Sequence, residues 1–325
     1  MGLGTLVISL DFELHWGAPE KWDIVTKKHY FDETRKSIPK VLKLFKQYNV
    51  HATWATVGFL FAKDREQLMA FAPKEKPTYK DKQLNYYAFF EKNEVGDNEV
   101  DDPYHFAGSL ISKIIATPGQ ELATHTFSHF YCNEPGQNLI QFDYDLKAAQ
   151  SIAKKNFGIS LESLVFPRNQ FNADYLDVAR KNGIKVVRSN PDVWFWKKTS
   201  SAMALARALD TLFPISNKLS YGELQNKAHS EILCLPASRF LRPYSAREKL
   251  IQDMKLNRIK REMTDAAKNN KVYHLWWHPH NFGNEMNENL KYLESILKHF
   301  KFLDKKYKFS SKSMIEMYLN QSKNR

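Results

Sequence analysis

Thr5-Leu-Val-Ile-Ser-Leu-Asp-Phe-Glu13 is the stretch of this 325-residue chain that decides its architecture. Thr5 to Leu10 carries no charge and reads as a buried strand. It runs directly into two carboxylates, Asp11 and Glu13. On extended backbone, residues two apart face the same side, so both look into one cavity while Phe12 turns into the wall. Two carboxylates that close repel each other unless a cation or an arginine intervenes. The strand end therefore announces a site.

Working outward, short apolar runs alternate with helical segments. Asp32 is a suitable N-cap for a helix over about 33–48, with Ile38, Val41, Leu42 and Phe45 at helical spacing. Further strands are expected at 52–57, 121–126, 164–167, 184–188, 231–236, 272–277 and 307–309. Helices are expected at 109–116, 144–157, 173–182, 246–269 and 287–300, with Gly158 and Gly183 as C-terminal stops. Strand–helix alternation along the whole length argues for parallel β/α units, and seven or eight of them favour a barrel over an open sheet. Two stretches break the rhythm, 62–106 and 199–229. They read as insertions over one rim of a single domain spanning 1–325.

In a β/α barrel the chemistry sits at the C-terminal ends of the strands. Those ends carry, in order, Asp11 and Glu13; His125-Thr-Phe-Ser-His129; Phe166-Pro-Arg168-Asn169; Arg188-Ser-Asn-Pro-Asp192; and His278-Pro-His280. A His-x-x-x-His pair alone is weak evidence, since 11 histidines in 325 residues produce roughly 0.4 such pairs by chance. After a strand, however, a turn can bring both imidazoles onto one ion. A carboxylate from a neighbouring strand then completes a two-His, one-carboxylate set with open positions for water and substrate. His278 closes an apolar strand and suits a general acid or base; His280 competes for that role but lies in the following loop. Trp194 follows Asp192 in a rim loop, where an aromatic face can wall a sugar site.

Composition narrows the classes. With 43% hydrophobic and 26% charged residues the chain is globular rather than disordered. Two cysteines, Cys132 and Cys234, build no disulfide scaffold and read as small buried residues. No basic segment precedes an apolar run near Met1 and no stretch of 18 apolar residues occurs, so a cytoplasmic location is expected. The net charge of +12 lies largely in helix-like segments such as 36–46 and 291–306, as on solvated helix faces. Nucleic acid is not expected as a partner; peripheral contact with an anionic membrane is.

Together these segments resemble the motif series of the polysaccharide deacetylase family (the NodB homology domain, carbohydrate esterase family 4), in family order from Ser9 to about Gly283. The resemblance implies a distorted (β/α) barrel of about seven strands and a divalent ion, zinc by preference. It assigns Asp11 as base, Glu13, His125 and His129 as metal ligands, and Arg168 as the residue that orients the base. It also assigns the Phe171 N–H as oxyanion donor, Asp192 as a support for the acid, and His278 as that acid. The motif around Asp11 departs from the family's usual Asp-Asp pair, and the arginine motif lacks its proline. The implied reaction is removal of N-acetyl groups from an amino sugar in a polysaccharide or glycan precursor. Two alternatives are a deformylase or other C–N amide hydrolase of the same fold, and a catalytically inactive glycan-binding barrel.

Overall fold

A computed structural model describes residues 4–92, 94–191, 219–222 and 232–323, together with Val193, Met203 and Asp210. Its strands are β1 (Thr5–Phe12), β2 (Ala52–Thr56), β3 (Gln120–Thr124), β4 (Ser163–Leu164), β5 (Val186–Ser189), β6 (Leu233–Pro236), β7 (Arg239–Phe240), β8 (Val272–Trp277) and β9 (Ser310–Lys312). They pair in parallel in the order β6-β5-β4-β3-β2-β1-β8-β7, with β9 beside the start of β1. β6 and β7 are one run of chain. It leaves β5 at Pro236 and takes up β8 at Arg239, so the sheet curls back on itself. This handover, with a two-residue β4, gives the distorted barrel of about seven strands that the resemblance implies.

The period-two rule sorts β1 cleanly. Leu6, Ile8, Leu10 and Phe12 join the apolar layer under the outer helices, while Val7 joins an inner cluster with Ala55, Val165, Val186, Leu233 and Leu235. Met314 and Met317 from the helix Met314–Lys323 complete that inner cluster. On the way up the barrel the lining becomes polar. Ser9 bonds His274 at 2.8 Å, and Asp11 follows one pleat higher.

Three elements differ from expectation. The first long helix is Ile24–Tyr48, capped by Asp23, whose side chain accepts from the Thr26 N–H. Asp32 lies within the helix and pairs with Lys28. Both aspartates can cap, and the earlier start lets Tyr30 and Phe31 pack on Trp22. The helix Leu139–Phe157 likewise starts early, at the capping box of Asn138 and Gln141. The helix Met286–Tyr307 takes the first residue of the strand expected at 307–309, and the strand forms three residues later, as β9.

Residues 62–106 pack on the loops after β1 and β3. Trp16 stacks on Phe90, and the Tyr79 hydroxyl accepts the Tyr131 N–H at 2.8 Å. Of 199–229, the described part includes Tyr221, which bridges Val272. The expected strand residue Glu231 lies outside the described residues. Both cysteines are buried. Among the described residues no helix is long and apolar enough to cross a membrane.

Candidate active site

The loop after β3 brings His125 and His129 together by an unusual backbone path. Thr126 and His129 both occupy the left-handed region, at φ 65° and 58°. For a β-branched threonine that conformation is costly and needs surrounding support. Asp145, from the helix Leu139–Phe157, supplies it by accepting the backbone N–H groups of Phe127 (2.6 Å) and Ser128 (3.0 Å). Gly58 lets the end of β2 approach: a Cβ there would lie 2.6 Å from the Phe127 ring.

The two imidazoles converge on one carboxylate oxygen. Glu13 Oε1 is 3.0 Å from His125 Nε2 and 3.2 Å from His129 Nε2. All three residues are buried. The other ring nitrogen of His125 lies 2.7 Å from the Val165 carbonyl oxygen, which can only accept. Nδ1 therefore carries the proton, and Nε2 offers its lone pair to the centre. Burial also holds His129 below the usual imidazole range. Burial would raise the Glu13 carboxyl, but the facing imidazoles of His278, His125 and His129 outweigh it and hold it well below the usual range. Gly17 leaves room for that carboxylate: a Cβ there would lie 2.1 Å from Oε2.

Asp11 stands beside this cluster, and its partner is not the arginine expected. Arg188, at the end of β5, grips both carboxylate oxygens at 2.6 and 2.7 Å. The guanidinium is fully buried, stacks on Trp276 at 4.2 Å, and also donates to Ser9 and to the Asn169 side chain. Burial alone would raise the Asp11 carboxyl; Arg188 overcomes it and holds the group below its ordinary value. Arg168 instead bonds Glu134 at 2.7 Å and covers the Tyr131 ring. The physical reason is local. Arg168 sits in a one-turn helix at positive φ (55°), which directs the side chain to the loop after β3, whereas Arg188 belongs to an inward position of a strand. Arg188 had a legible signal of its own, because an arginine inside an apolar strand is almost never buried unless paired.

The opposite wall is His278, whose Nε2 lies 3.7 Å from Asp11 Oδ2 and 3.8 Å from Glu13 Oε1. Its side chain is 25% exposed, which makes it the open side of the cluster. His280, expected in an accessible loop, is buried. Its ring stacks on His278 at 4.8 Å and packs edge-on to Trp22, and Nδ1 is 3.8 Å from Glu13 Oε2. The one-turn helix Pro279–Phe282 folds it back. Phe171 stacks on Phe166 at 4.6 Å, next to the short helix that carries Arg168. Asp192 and Trp194 lie outside the described residues.

A carboxylate, an arginine-held aspartate and four imidazoles thus meet at the C-terminal rim of a parallel barrel and define a candidate metal centre. The polysaccharide deacetylase family model matches residues 29–187, and over that span the chain is similar to that family. The match takes in His125 and His129 but stops short of Arg188, and both Asp11 and His278 lie outside it. No curated protein matches in sequence. In fold the chain is similar to a Mycobacterium smegmatis protein assigned as a polysaccharide deacetylase, with a TM-score of 0.61 and 12% identity over 98% of this chain and 91% of that one. A Pseudomonas aeruginosa protein assigned likewise is similar at TM-score 0.52, 11% identity, and 97% and 88% coverage. A GH57-type branching enzyme from Pyrococcus horikoshii is similar at TM-score 0.54, 12% identity, and 98% and 70% coverage. At such identities the likeness is one of fold, which hosts more than one chemistry.

Proposed function

We propose that this protein is a metal-dependent carbohydrate N-deacetylase that hydrolyses the acetamide of an amino sugar in a polysaccharide or glycan precursor. One observation carries the reading: Glu13, His125 and His129 direct a carboxylate oxygen and two imidazole nitrogens at one buried point. Three electron-pair donors so placed repel one another without a cation. Two histidines and one carboxylate suit zinc and leave coordination positions open. When bound, the ion polarises the amide carbonyl and makes water a better nucleophile.

The chain's own residues supply the proton traffic. Asp11, fixed on both oxygens by Arg188, stays ionised at neutral pH and removes a proton from the attacking water. The water oxygen adds to the carbonyl carbon. His278, on the open side, protonates the amine nitrogen as the C–N bond breaks, releasing acetate and the free amine. The Phe171 N–H is assigned to the developing oxyanion, Asp192 to support of His278, and Trp194 to the sugar face.

The test is amine release from a panel of N-acetylated and N-formylated glycans, with and without chelator. Release from the acetylated members, abolished by chelator and restored by zinc, is expected. Release from formylated members alone makes the protein a deformylase of the same fold. Zinc binding with no release from any member overturns the enzyme reading in favour of a glycan-binding barrel.

A further inference from the structure

Behind His129 runs a chain of buried hydroxyls. His129 Nδ1 lies 3.0 Å from the Tyr131 hydroxyl, which lies 2.6 Å from the Tyr86 hydroxyl, which donates to Glu20 Oε2 at 2.9 Å. Tyr86 and Tyr131 are each 1% exposed and His129 is 3% exposed. Tyr86 also lies parallel to the His129 ring, 6.0 Å between centroids. The chain links three separate parts of the sequence: the loop after β1, the 62–106 segment and the loop after β3.

Counting protons fixes the direction of every bond. A carboxylate only accepts, so the Tyr86 hydroxyl spends its one proton on Glu20. Tyr86 must then accept from Tyr131, and Tyr131, its proton spent, must accept from His129. The imidazole is left with hydrogen on Nδ1, so that Nε2, which bonds the Glu13 carboxylate at 3.2 Å, is the ring atom that can give its lone pair to an ion. Glu20 lines an open cavity of about 550 Å³ with His15, Lys21, Trp22, Phe89 and Glu94. Its side chain is 8% exposed, and Lys21 Nζ stands 3.7 Å from its second oxygen.

We propose that Glu20 is a positioning residue for the metal centre, setting the tautomer of His129 through Tyr86 and Tyr131. The proposal rests on the metal reading above. His125 reaches the same state through a main-chain carbonyl that no substitution can remove. His129 depends on side chains, so its state is open to mutation at a distance. Partners of this kind orient a metal-binding imidazole and raise its basicity, and their loss typically costs about 10–100-fold in metal affinity.

The decisive variant is Tyr86→Phe, whose lost hydroxyl does not touch His129. Without Tyr86 as acceptor, the Tyr131 hydroxyl can turn and donate to Nδ1, which moves the imidazole proton to Nε2. Two measurements follow. Proton–nitrogen NMR of the metal-free protein should show a hydrogen on His129 Nδ1 in the wild type and its loss in Tyr86→Phe. Chelator competition should show zinc affinity falling by about 10–100-fold in Tyr86→Phe and in Glu20→Ala, and less in Glu20→Gln, which keeps an oxygen acceptor. Tyr86→Phe and Tyr131→Phe should be non-additive, as members of one chain are. An unchanged tautomer with unchanged zinc affinity in Tyr86→Phe overturns the proposal. Failure of the wild type to bind zinc sinks the metal reading instead, and the NMR result still tests the chain on its own.

Discussion

At the level of single residues the site turns on which arginine holds Asp11. Arg188→Lys keeps a cation but loses the two-pronged grip. Turnover should fall with zinc retained, and because Arg188 depresses the Asp11 carboxyl, the acidic limb of the rate profile should move to higher pH. Stability follows the same sign. A depressed carboxylate stabilises above its unfolded value of 3.8, and that increment disappears as pH falls through the folded value. Acid unfolding of Arg188→Lys should therefore begin at a higher pH than in the wild type. Arg168→Ala removes an ion pair whose side chains are 35% and 27% exposed, worth about 1 kcal/mol or less, and should leave the acid limb in place. The opposite ranking of the two arginines would restore the resemblance-based assignment. The carboxylates separate in the same assays. Asp11→Asn should keep zinc and lose turnover by roughly 10²–10⁴, whereas Glu13→Gln should lose both. Zinc retained in Glu13→Gln but lost in Asp11→Asn would exchange their roles.

Among elements, the docking of the helix Met314–Lys323 depends on pH. It meets the barrel through Met314 and Met317 in the inner cluster and through His51 Nδ1, 2.7 Å from Glu316 Oε2. The hydrogen bond to Glu316 raises the His51 imidazole above 6.5 despite partial burial. Burial opposes the shift of Glu316, but His51 holds it below 4.5. The histidine's contribution is full below 6.5 and lost as pH rises through its folded value. The carboxylate's contribution is full above 4.5 and lost as pH falls through its own. Amide exchange in this helix should thus be slowest between about pH 4.5 and 6.5 after correction for intrinsic rates, and Glu316→Gln should flatten the profile. The effect is small, about 1 kcal/mol or less, because both groups are partly exposed. An identical pH profile in the variant would show that apolar packing alone seats the helix. The boundaries that misled the sequence reading belong to this scale too: Asp23 and Asp32 are equally competent caps, and only contacts made by Tyr30 and Phe31 choose between them.

For the whole molecule the metal centre ties two strand ends together: Glu13 follows β1, and the His125–His129 loop follows β3. Binding to the folded state alone stabilises by mass action, about 2.7 kcal/mol with free ion at 100 times its Kd. For a chain of this size that raises the melting temperature by a few degrees. Zinc should raise the midpoint in the wild type and leave it unmoved in His125→Ala. A shift that survives in His125→Ala would place the ion elsewhere.

The strand–helix alternation, the pleat of β1 and the rim histidines were legible in the sequence, because period-two burial and the strand-end rule are local. Buried strands with outward Leu6, Ile8 and Leu10 and inward Ser9 and Asp11 admit few arrangements other than a covered parallel sheet. Only the tertiary structure decided the partners. Arg188 lies 177 residues from Asp11 and Glu20 lies 109 from His129, and no periodicity encodes such separations. Nor could it show that one run of chain, 233–240, changes partners to close the sheet. Strand order, barrel curvature and loop backbone set which inward side chains meet, and a buried charge takes whichever counter-ion that geometry brings within reach.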